Sequence, residues 1–324
     1  MPRAIRIHEN GGPEALRLET VEREPLGAHQ VRIRQTAIGV NFIDTYDRSG
    51  LYPVSLPCVL GREAAGVVVE VGRRVTARER GDRVAYVHHK PGAYTDERVM
   101  DANRVVALPD SIPDAQAAGM MLKGLTAWYL LRRCHRVRRH EPVLLHAAAG
   151  GVGLIALQWA IALGARVIAT VGSDEKAALV HEHGASDVIV TAREDIVARV
   201  REITKKCGVA VVYDGVGKDT FFASLDCLAP RGLMVSYGNA SGPVPPIAPL
   251  ELSKRGSLYL TRPTLFHYIA KKSDLARAAR ELFEVVASGK VRIRVGQSYP
   301  LAEAAQAHRD LEARRTTGSS VLNP

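Results

Sequence analysis

The segment from Pro142 to Gly164 constrains the fold more than any other part of this chain. A short apolar run, Val143 to Ala147, has the length of a buried strand and leads into a loop of small residues, 148–153. An apolar helix pattern follows without a break. Free amides and the positive dipole end at such a helix start bind phosphate, and glycines let the ligand approach the backbone. The segment therefore predicts a dinucleotide site.

The loop departs from the usual Gly-x-Gly-x-x-Gly pattern at its first position, where Ala148 stands, while Gly150 and Gly153 fill the other two. Small residues there can also serve only close helix–strand packing, so the loop alone is weak evidence. The residues downstream favour a ligand site, because apolar β-branched runs alternate with helical segments, as in a parallel sheet covered on both faces. Further strands are predicted at 166–171, 187–191, 209–214, 233–237 and 257–261, and helices at 173–183, 193–204 and 219–228. Six such strands predict an α/β fold with a doubly wound nucleotide-binding sheet.

The end of the second predicted strand indicates which dinucleotide binds. NAD-preferring sites carry an acidic residue there, which binds the ribose 2′-hydroxyl. This chain instead has Gly172 and Ser173, with Lys176 one helical turn later, a set that would accept a 2′-phosphate. Asp174 and Glu175 argue weakly the other way, although acids in a first helical turn commonly complement the dipole, and Lys176 could be an ordinary solvated helix residue. The pattern favours NADPH.

A turn-rich segment at 237–241 follows the fifth predicted strand. Ligands of open α/β sheets bind at the carboxyl ends of the strands. The nicotinamide ribose is therefore expected beside this segment.

Composition and charge restrict the class of protein. The 324 residues suggest two domains, and 46% apolar residues exclude a disordered chain. The first residues lack the apolar centre of a signal peptide, the longest apolar stretch is too short to span a bilayer, and four scattered cysteines fit reduced thiols. We expect a cytoplasmic protein with no membrane partner. The net charge of +10 and the arginine-rich run at 132–139 could attract nucleic acid, but no nucleic-acid motif accompanies them, so such a partner is not expected.

The two ends of the chain differ from its centre. Short β runs at 30–37, 65–71, 83–87 and 105–108, separated by turn signals, predict a β-rich N-terminal domain. After the sixth strand, helices are predicted at 273–288 and 301–315 and a last strand at 319–322, and this segment is expected to pack on the first domain. The predicted divisions are 1–124, 125–262 and 263–324.

Eight motifs, in one order along nearly the whole chain, carry a family resemblance. They are NFIDTYDRSGLYP at 41–53, GREAAGVVVEVG at 61–72, GDRV at 81–84, LKGLTAWYLL at 122–131, HAAAGGVG at 146–153, VVYDGVG at 211–217, RGLMVSYGNASG at 231–242 and GSLYLTRP at 256–263. The chain resembles the zeta-crystallin-type NADPH:quinone oxidoreductases, a zinc-free branch of the medium-chain dehydrogenase/reductase superfamily. The resemblance implies a GroES-like catalytic domain before a Rossmann NADPH-binding domain.

The zinc ligands of related alcohol dehydrogenases are replaced. Asn41 stands where the resemblance places the first ligating cysteine, and Arg62 where it places the histidine of a Gly-His-Glu motif. The four-cysteine loop of the structural zinc is also missing, and zinc needs a closed set of thiolate or imidazole ligands. We predict no zinc and interpret His88 and His89 as a surface pair whose rings point to opposite faces of a strand.

A quinone is the acceptor that best suits a site without a metal. Its reduction by hydride gives an aromatic hydroquinone anion, so the protein must mainly hold donor and acceptor face to face. The predicted function is NADPH-dependent quinone reduction without zinc or flavin. One alternative is a zinc-free reductase of enals, enones or enoyl thioesters with Tyr46 or Tyr52 as the acid, and another is a reductase fold with an RNA-binding role. The physiological acceptor and the number of electrons per step stay open.

The resemblance also implies the site residues. The catalytic candidates are Asn41, Tyr46, Tyr52 and Arg262; the alternative for Asn41 and the two tyrosines, which the resemblance makes the weaker one, is that they only fix a turn. Relatives often carry tyrosine where Thr191 stands, which leaves the preference for the 2′-phosphate open. The implied cofactor-binding residues are Asn41, Tyr46, Tyr129, Gly150, Gly151, Val152, Gly153, Gly172, Ser173, Lys176, Thr191, Gly215, Val216, Tyr237, Gly238, Asn239 and Ser241.

The sixth predicted strand, Ser257 to Thr261, would form the edge of the nucleotide-binding sheet. An exposed apolar edge invites pairing with another strand, and in this superfamily the edge typically pairs across a two-fold axis. We therefore expect a homodimer.

Overall fold

A computed structural model describes residues 1–324. The chain forms two compact units, the first from residues 1–125, 269–287 and 293–324, and the second from residues 126–268 and 288–292. The divisions at 124/125 and 262/263 remain predictions.

Residues 1–129 contain many short strands and two helices. The strands are β1 (Arg3–Ile7), β2 (Arg17–Thr20), β3 (Gln30–Val40), β4 (Cys58–Val59), β5 (Glu63–Val71), β6 (Arg83–Val87), β7 (Glu97–Asp101) and β8 (Val105–Ala107). The helices are α1 (Phe42–Ser49) and α2 (Asp114–Tyr129), and short 3-10 turns lie at 13–15 and 102–104.

Strands and helices alternate in the next part of the chain, after a π-helical turn at Leu130–Cys134. The strands are β9 (Pro142–Leu145), β10 (Arg166–Val171), β11 (Asp187–Val190), β12 (Val209–Asp214), β13 (Leu228–Ser236) and β14 (Tyr259–Thr261). The helices are α3 (Gly151–Ala162), α4 (Asp174–Glu182), α5 (Ile196–Ile203), α6 (Phe221–Asp226), α7 (Leu250–Lys254) and α8 (Leu265–Tyr268).

The C-terminal part adds two helices and two strands to the first unit. They are α9 (Lys272–Ala287), β15 (Val295–Pro300), α10 (Ala304–Glu312) and β16 (Ser319–Asn323), with a 3-10 turn at 301–303. Strand β16 pairs antiparallel with β3, so the last strand of the chain lies in the sheet of the first unit.

The first unit is built on a seven-stranded sheet with the order β15-β16-β3-β5-β6-β8, to which β7 adds by pairing with β3. A smaller sheet has the order β2-β1-β4. Alternate side chains such as Val31 and Ile33 of β3 and Val84 and Tyr86 of β6 are buried in one apolar core, as the two-residue period of a strand requires. The predicted β-rich domain is confirmed.

The second unit is built on a six-stranded parallel sheet with the order β11-β10-β9-β12-β13-β14. This order is that of a doubly wound dinucleotide-binding fold, in which the strand order reverses beside the first strand, here between β9 and β12. Leu144, Ile168 and Val212 of the three central strands are completely buried. The predicted fold class is confirmed.

Some predicted ends were wrong. The first strand ends at Leu145 because Ala147 adopts a left-handed conformation with φ of 51°. The sixth strand begins only at Tyr259, because Ser257 lies in a turn with φ of 58°. The helix predicted at 193–204 begins at Ile196, and the helix predicted at 219–228 is limited to 221–226.

Candidate functional site

The turn between β9 and α3 has the geometry of an anion site. Gly150 is the N-cap of α3, and the first amide bonded within the helix is that of Leu154, which donates to Gly150 O at 2.8 Å. The amides of residues 151–153 therefore precede the helical hydrogen bonds and are available to a phosphate. A Cβ at Gly153 would overlap the carbonyl oxygen of Ala147, so a glycine is required there.

The end of β10 continues into the capped start of α4. The Ser173 hydroxyl accepts a hydrogen bond from the amide of Lys176 at 3.4 Å, and the space around the Cα of Gly172 is open. Asp174 is paired with Arg193 at 2.6 Å. That ion pair offsets the acidic charge that argued against a 2′-phosphate, while Arg193 is also paired with Glu194 at 3.7 Å.

Thr191 directly follows β11, next to the end of β10. Its amide and its hydroxyl both donate to Val171 O, at 2.9 and 3.2 Å. The hydroxyl is thus oriented by the backbone of the neighbouring strand and keeps its lone pairs for another donor.

The loops after β12 and β13 pack against one another around a buried carboxylate. Asp214 accepts from the amides of Val216 and Gly217 at 2.8 and 3.0 Å and from the hydroxyls of Thr220 and Ser224 at 2.7 and 2.9 Å. Four donors fully satisfy this carboxylate. It therefore fixes the backbone of the loop that carries Gly215 and Val216.

Close approach explains the glycines of these two loops. A Cβ at Gly215 would lie 2.9 Å from the ring of Tyr237, and a Cβ at Gly238 would overlap the carbonyl oxygen of Gly215. The Ser241 hydroxyl donates to Val216 O at 2.9 Å and so joins the two loops a second time. The predicted residues 215, 216, 237, 238, 239 and 241 thus lie together at one end of the sheet.

Two further predicted residues lie in the same unit. Tyr129 is buried and stacks on Tyr268 with ring centroids 4.7 Å apart and planes 9° from parallel, and burial raises its pKa well above 10. Arg262 directly follows β14 and donates to Ser236 O at 2.8 Å, at the carboxyl end of β13.

The other predicted residues surround α1 in the first unit. Asn41 is buried and is the N-cap of α1, and its amide nitrogen donates to Glu63 Oε1 at 2.8 Å. Tyr46 lies in α1 and contacts Tyr52 edge to face, with ring centroids 5.2 Å apart. The amide of Tyr52 donates to Tyr46 O at 3.1 Å, which closes the turn after the helix.

Arg62 is committed to a buried ion pair. Its Nε and Nη2 donate to the two oxygens of Asp47 at 2.9 and 2.8 Å, and its Nη1 donates to the carbonyl of His89. His88 is partly exposed and His89 is exposed, as expected of a surface pair, but the expected opposite orientation of the rings was wrong, because both residues lie beyond the end of β6 and their ring centroids are only 4.4 Å apart. Burial lowers the pKa of His88 to about 4.

A chain of buried polar groups connects α1 to α10. Asp44 Oδ2 accepts from the amide of Asn41 at 2.8 Å and from the Tyr94 hydroxyl at 3.0 Å. The Tyr94 oxygen lies 3.0 Å from His308 Nε2, and His308 Nδ1 lies 3.0 Å from Arg48 Nη1. Because arginine can only donate, Nδ1 accepts and Nε2 carries the proton. Each group in this chain therefore donates its hydrogen bond to the next group on the way to Asp44.

Sequence reasoning missed several residues that hold the site together. Asp214, Glu63 and Lys123 all lie in the quoted motifs, but a motif does not indicate which side chain is buried against which partner. A charged residue inside an otherwise apolar strand or helix would have been the signal, because a buried charge requires a partner.

No group of three or more His, Cys, Asp or Glu side chains is arranged to hold a metal ion. None of the helices has both the length and the apolar character needed to cross a bilayer.

Two family models match the two parts of the chain. The model described as an alcohol dehydrogenase GroES-like domain matches residues 27–131, and the model described as a zinc-binding dehydrogenase matches residues 151–284. Together with the fold, these matches define an oxidoreductase of the medium-chain dehydrogenase/reductase superfamily.

Relatives that are similar over their full length show which family of this superfamily the chain belongs to. A quinone oxidoreductase of Pseudomonas aeruginosa is 52% identical over all of both chains, and a 2-haloacrylate reductase of a Burkholderia species is 46% identical over 100% of this chain and 99% of its own. The crystal structure of an Escherichia coli quinone oxidoreductase complexed with NADPH matches with a TM-score of 0.97 and 48% identity, over 99% of this chain and 100% of its own. The chain belongs to the quinone oxidoreductase family, as its motifs predicted.

Proposed function

We propose that this oxidoreductase reduces quinones with NADPH and without zinc. The observation that carries the proposal is the set of anion-binding features at adjacent strand ends: the free amides of residues 151–153 and, one strand away, Gly172, Ser173 and Lys176 with no carboxylate at the strand end. The NADPH complex of the Escherichia coli relative supports the same cofactor.

Different residues of the second unit would bind the different chemical groups of NADPH. The amides of 151–153 would bind the pyrophosphate, and Ser173 and Lys176 would bind the 2′-phosphate, with the charge of Asp174 near this strand end neutralised by Arg193. The loops at 215–216 and 237–241 would border the nicotinamide half, with Tyr129 and Arg262 beside it. NADPH would supply a hydride to the acceptor.

The residues around α1 suit a planar acceptor. The edge-to-face pair of Tyr46 and Tyr52 offers an aromatic surface with two hydroxyls, and Asn41 is held in place by Glu63. Arg62 is engaged by Asp47 and is no zinc ligand, which supports chemistry without zinc. The charge left by the hydride would be delocalised over the aromatic ring of the hydroquinone.

The similarity to a 2-haloacrylate reductase favours one alternative, the reduction of an activated double bond. Steady-state rates separate the two functions. A small quinone should be reduced at a higher kcat/KM than an enone of similar size if quinones are the acceptors, and the reverse order would support the alternative. Turnover with neither acceptor at saturating NADPH would contradict both.

The 2′-phosphate assignment predicts a selective defect. Lys176→Ala should raise the KM for NADPH by about 10- to 100-fold, the equivalent of one charge-assisted hydrogen bond, and that for NADH by less than about 2-fold. Lys254→Ala, which removes an exposed lysine paired with Glu251, is the matched control and should change neither KM. Equal effects of Lys176→Ala on both cofactors would refute the assignment.

We also propose that β14 pairs with the same strand of a second copy. This strand is the edge of its sheet, and Tyr259 and Leu260 are 62% and 38% exposed. Light scattering at micromolar concentration should give the mass of a dimer. Leu260→Lys should give a monomer, whereas Leu18→Lys on the edge strand β2 should not. A monomeric wild-type protein would overturn the proposal.

A further inference from the structure

Glu63 lies at the centre of a buried polar cluster in the first unit. Its Oε1 accepts from Asn41 Nδ2 at 2.8 Å and from Lys123 Nζ at 2.9 Å, and its Oε2 accepts from the amide of Leu122 at 2.5 Å. A Cβ at Gly39 would overlap Oε1, so the glycine of β3 makes room for the carboxylate. The carboxylate is completely buried, and both of its oxygens have donors.

Lys123 is less fully satisfied than Glu63. Its side chain is only 7% exposed, and Glu63 is its one hydrogen-bond acceptor in the protein. An ammonium group has three N–H donors, and leaving donors unmatched in a buried place costs free energy. Two N–H groups of Lys123 are therefore left for an acceptor that the protein itself does not provide.

The position of this ammonium indicates which acceptor it would meet. Lys123 Nζ and Asn41 Nδ2 donate to the same oxygen of Glu63, so the two nitrogens are neighbours. The proposed function assigns Asn41 to the place where the acceptor is reduced. An ammonium beside that place lies where negative charge would develop.

We propose that Lys123 is a catalytic residue that donates a hydrogen bond to the carbonyl oxygen of the acceptor and stabilises the anion formed there. This inference rests on the proposed function and extends it to one substrate class, conjugated carbonyl compounds. In the step, the acceptor gains a hydride supplied by NADPH, which is oxidised to NADP+; the new C–H bond forms at a carbon of the conjugated system, the π electrons shift along that system to the carbonyl oxygen, and the resulting oxyanion lies against the N–H of Lys123. The oxyanion then takes a proton from water, and Lys123 keeps its three protons.

Glu63 would act as the positioning residue of this pair. It holds the ammonium at 2.9 Å and balances its charge while no substrate is bound. A fixed donor that needs no reorganisation during the reaction is the arrangement that stabilises an oxyanion most effectively.

The test uses two variants that differ only at position 123. Lys123→Met alone would leave Glu63 as a buried, uncompensated carboxylate and could unfold the chain. The reference is therefore Glu63→Gln, whose amide oxygen still offers the ammonium an acceptor, and the test variant is Glu63→Gln with Lys123→Met, which leaves a neutral site. Because the reference lacks the counter-charge of Lys123, circular dichroism must first show that both variants are folded like the wild type. Lys254→Met serves as the control for the loss of an ion-paired lysine elsewhere.

The first readout is turnover with a small quinone and with an enone. The double variant should have a kcat at least about 100-fold below that of Glu63→Gln, the effect of removing an oxyanion donor, with the KM for NADPH unchanged within about 2-fold. A kcat within about 3-fold of the reference for both acceptors would overturn the proposal.

The second readout needs no turnover. The coloured anion of 4-nitrophenol is titrated against the full-length protein, and binding beside an ammonium should favour the phenolate over the phenol. The double variant should bind the phenolate at least about 10-fold more weakly than Glu63→Gln, and equal binding would overturn the proposal. If the wild-type protein reduces no acceptor, the proposed function fails, and the phenolate comparison still decides the role of Lys123.

Discussion

Replacing Arg62 by methionine is expected to lower the free energy of unfolding by about 3–5 kcal/mol, because it leaves a buried carboxylate without its partner. The Asp47 side chain is completely buried, and the Arg62 side chain is 8% exposed. Burial raises the pKa of Asp47, and the guanidinium counteracts that rise by two parallel hydrogen bonds. Without Arg62, only the destabilising effect of burial is left.

Denaturant unfolding monitored by circular dichroism measures this effect. Arg166→Met is the matched control. The Arg166 side chain is 48% exposed and is paired with Asp187 at 2.8 Å. Its loss should lower the free energy of unfolding by less than about 1 kcal/mol. Adding Asp47→Leu to Arg62→Met should recover a large part of the loss. Equal losses for Arg62→Met and Arg166→Met would contradict the prediction.

Replacing Asp44 by asparagine is expected to stabilise the protein by about 4 kcal/mol above pH 7 and to change little near pH 4. Burial, and after it the charge of Asp47, raises the pKa of Asp44 from 3.8 to about 7. The amide of Asn41 and the hydroxyl of Tyr94 donate to Oδ2, while Oδ1 has no partner. The folded protein therefore favours the protonated acid at this position.

The sign of the pH dependence follows from this difference. Between pH 4 and pH 7 the folded protein holds the Asp44 proton and the unfolded chain has released it, so stability falls as the pH rises. An asparagine keeps an oxygen acceptor for the two donors and has no charge to bury. The stability gained by Asp44→Asn should therefore grow from pH 4 to about pH 8.

His308 makes a contribution of opposite sign, which determines the design of the measurement. Burial, with a smaller effect of Arg48, lowers its pKa to about 3, so its neutral form makes stability rise with pH from about 3 to 6.5. The two trends oppose each other in the wild-type profile. The difference between Asp44→Asn and wild type cancels the His308 contribution, and it should be measured at pH 4 and pH 8 with the exposed Asp174→Asn as the control. A difference that is the same at both pH values would contradict the assigned pKa of Asp44.

The nucleotide-binding half could be predicted in some detail from the sequence. Phosphate recognition by a doubly wound sheet uses backbone amides at strand-to-helix turns, and these turns are encoded by consecutive residues such as 148–153. The cap by Ser173 and the strands at 166–171 and 209–214 depended on the same local signals. The errors at two strand ends fell at Ala147 and Ser257, where a non-glycine residue takes a left-handed conformation that composition does not indicate, and two helices were predicted too long.

By itself, then, the sequence determined the α/β class, the six-stranded sheet, the dinucleotide loop and the family. Only the tertiary structure decided which polar groups are buried together: Arg62 with Asp47, Glu63 with Lys123, and Arg48 with the neutral His308 across 260 positions of sequence. The physical reason is the distance along the sequence over which each kind of signal acts. Periodicity and turn chemistry act over a few residues, whereas burial of a charge depends on neighbours that only the folded chain brings into contact.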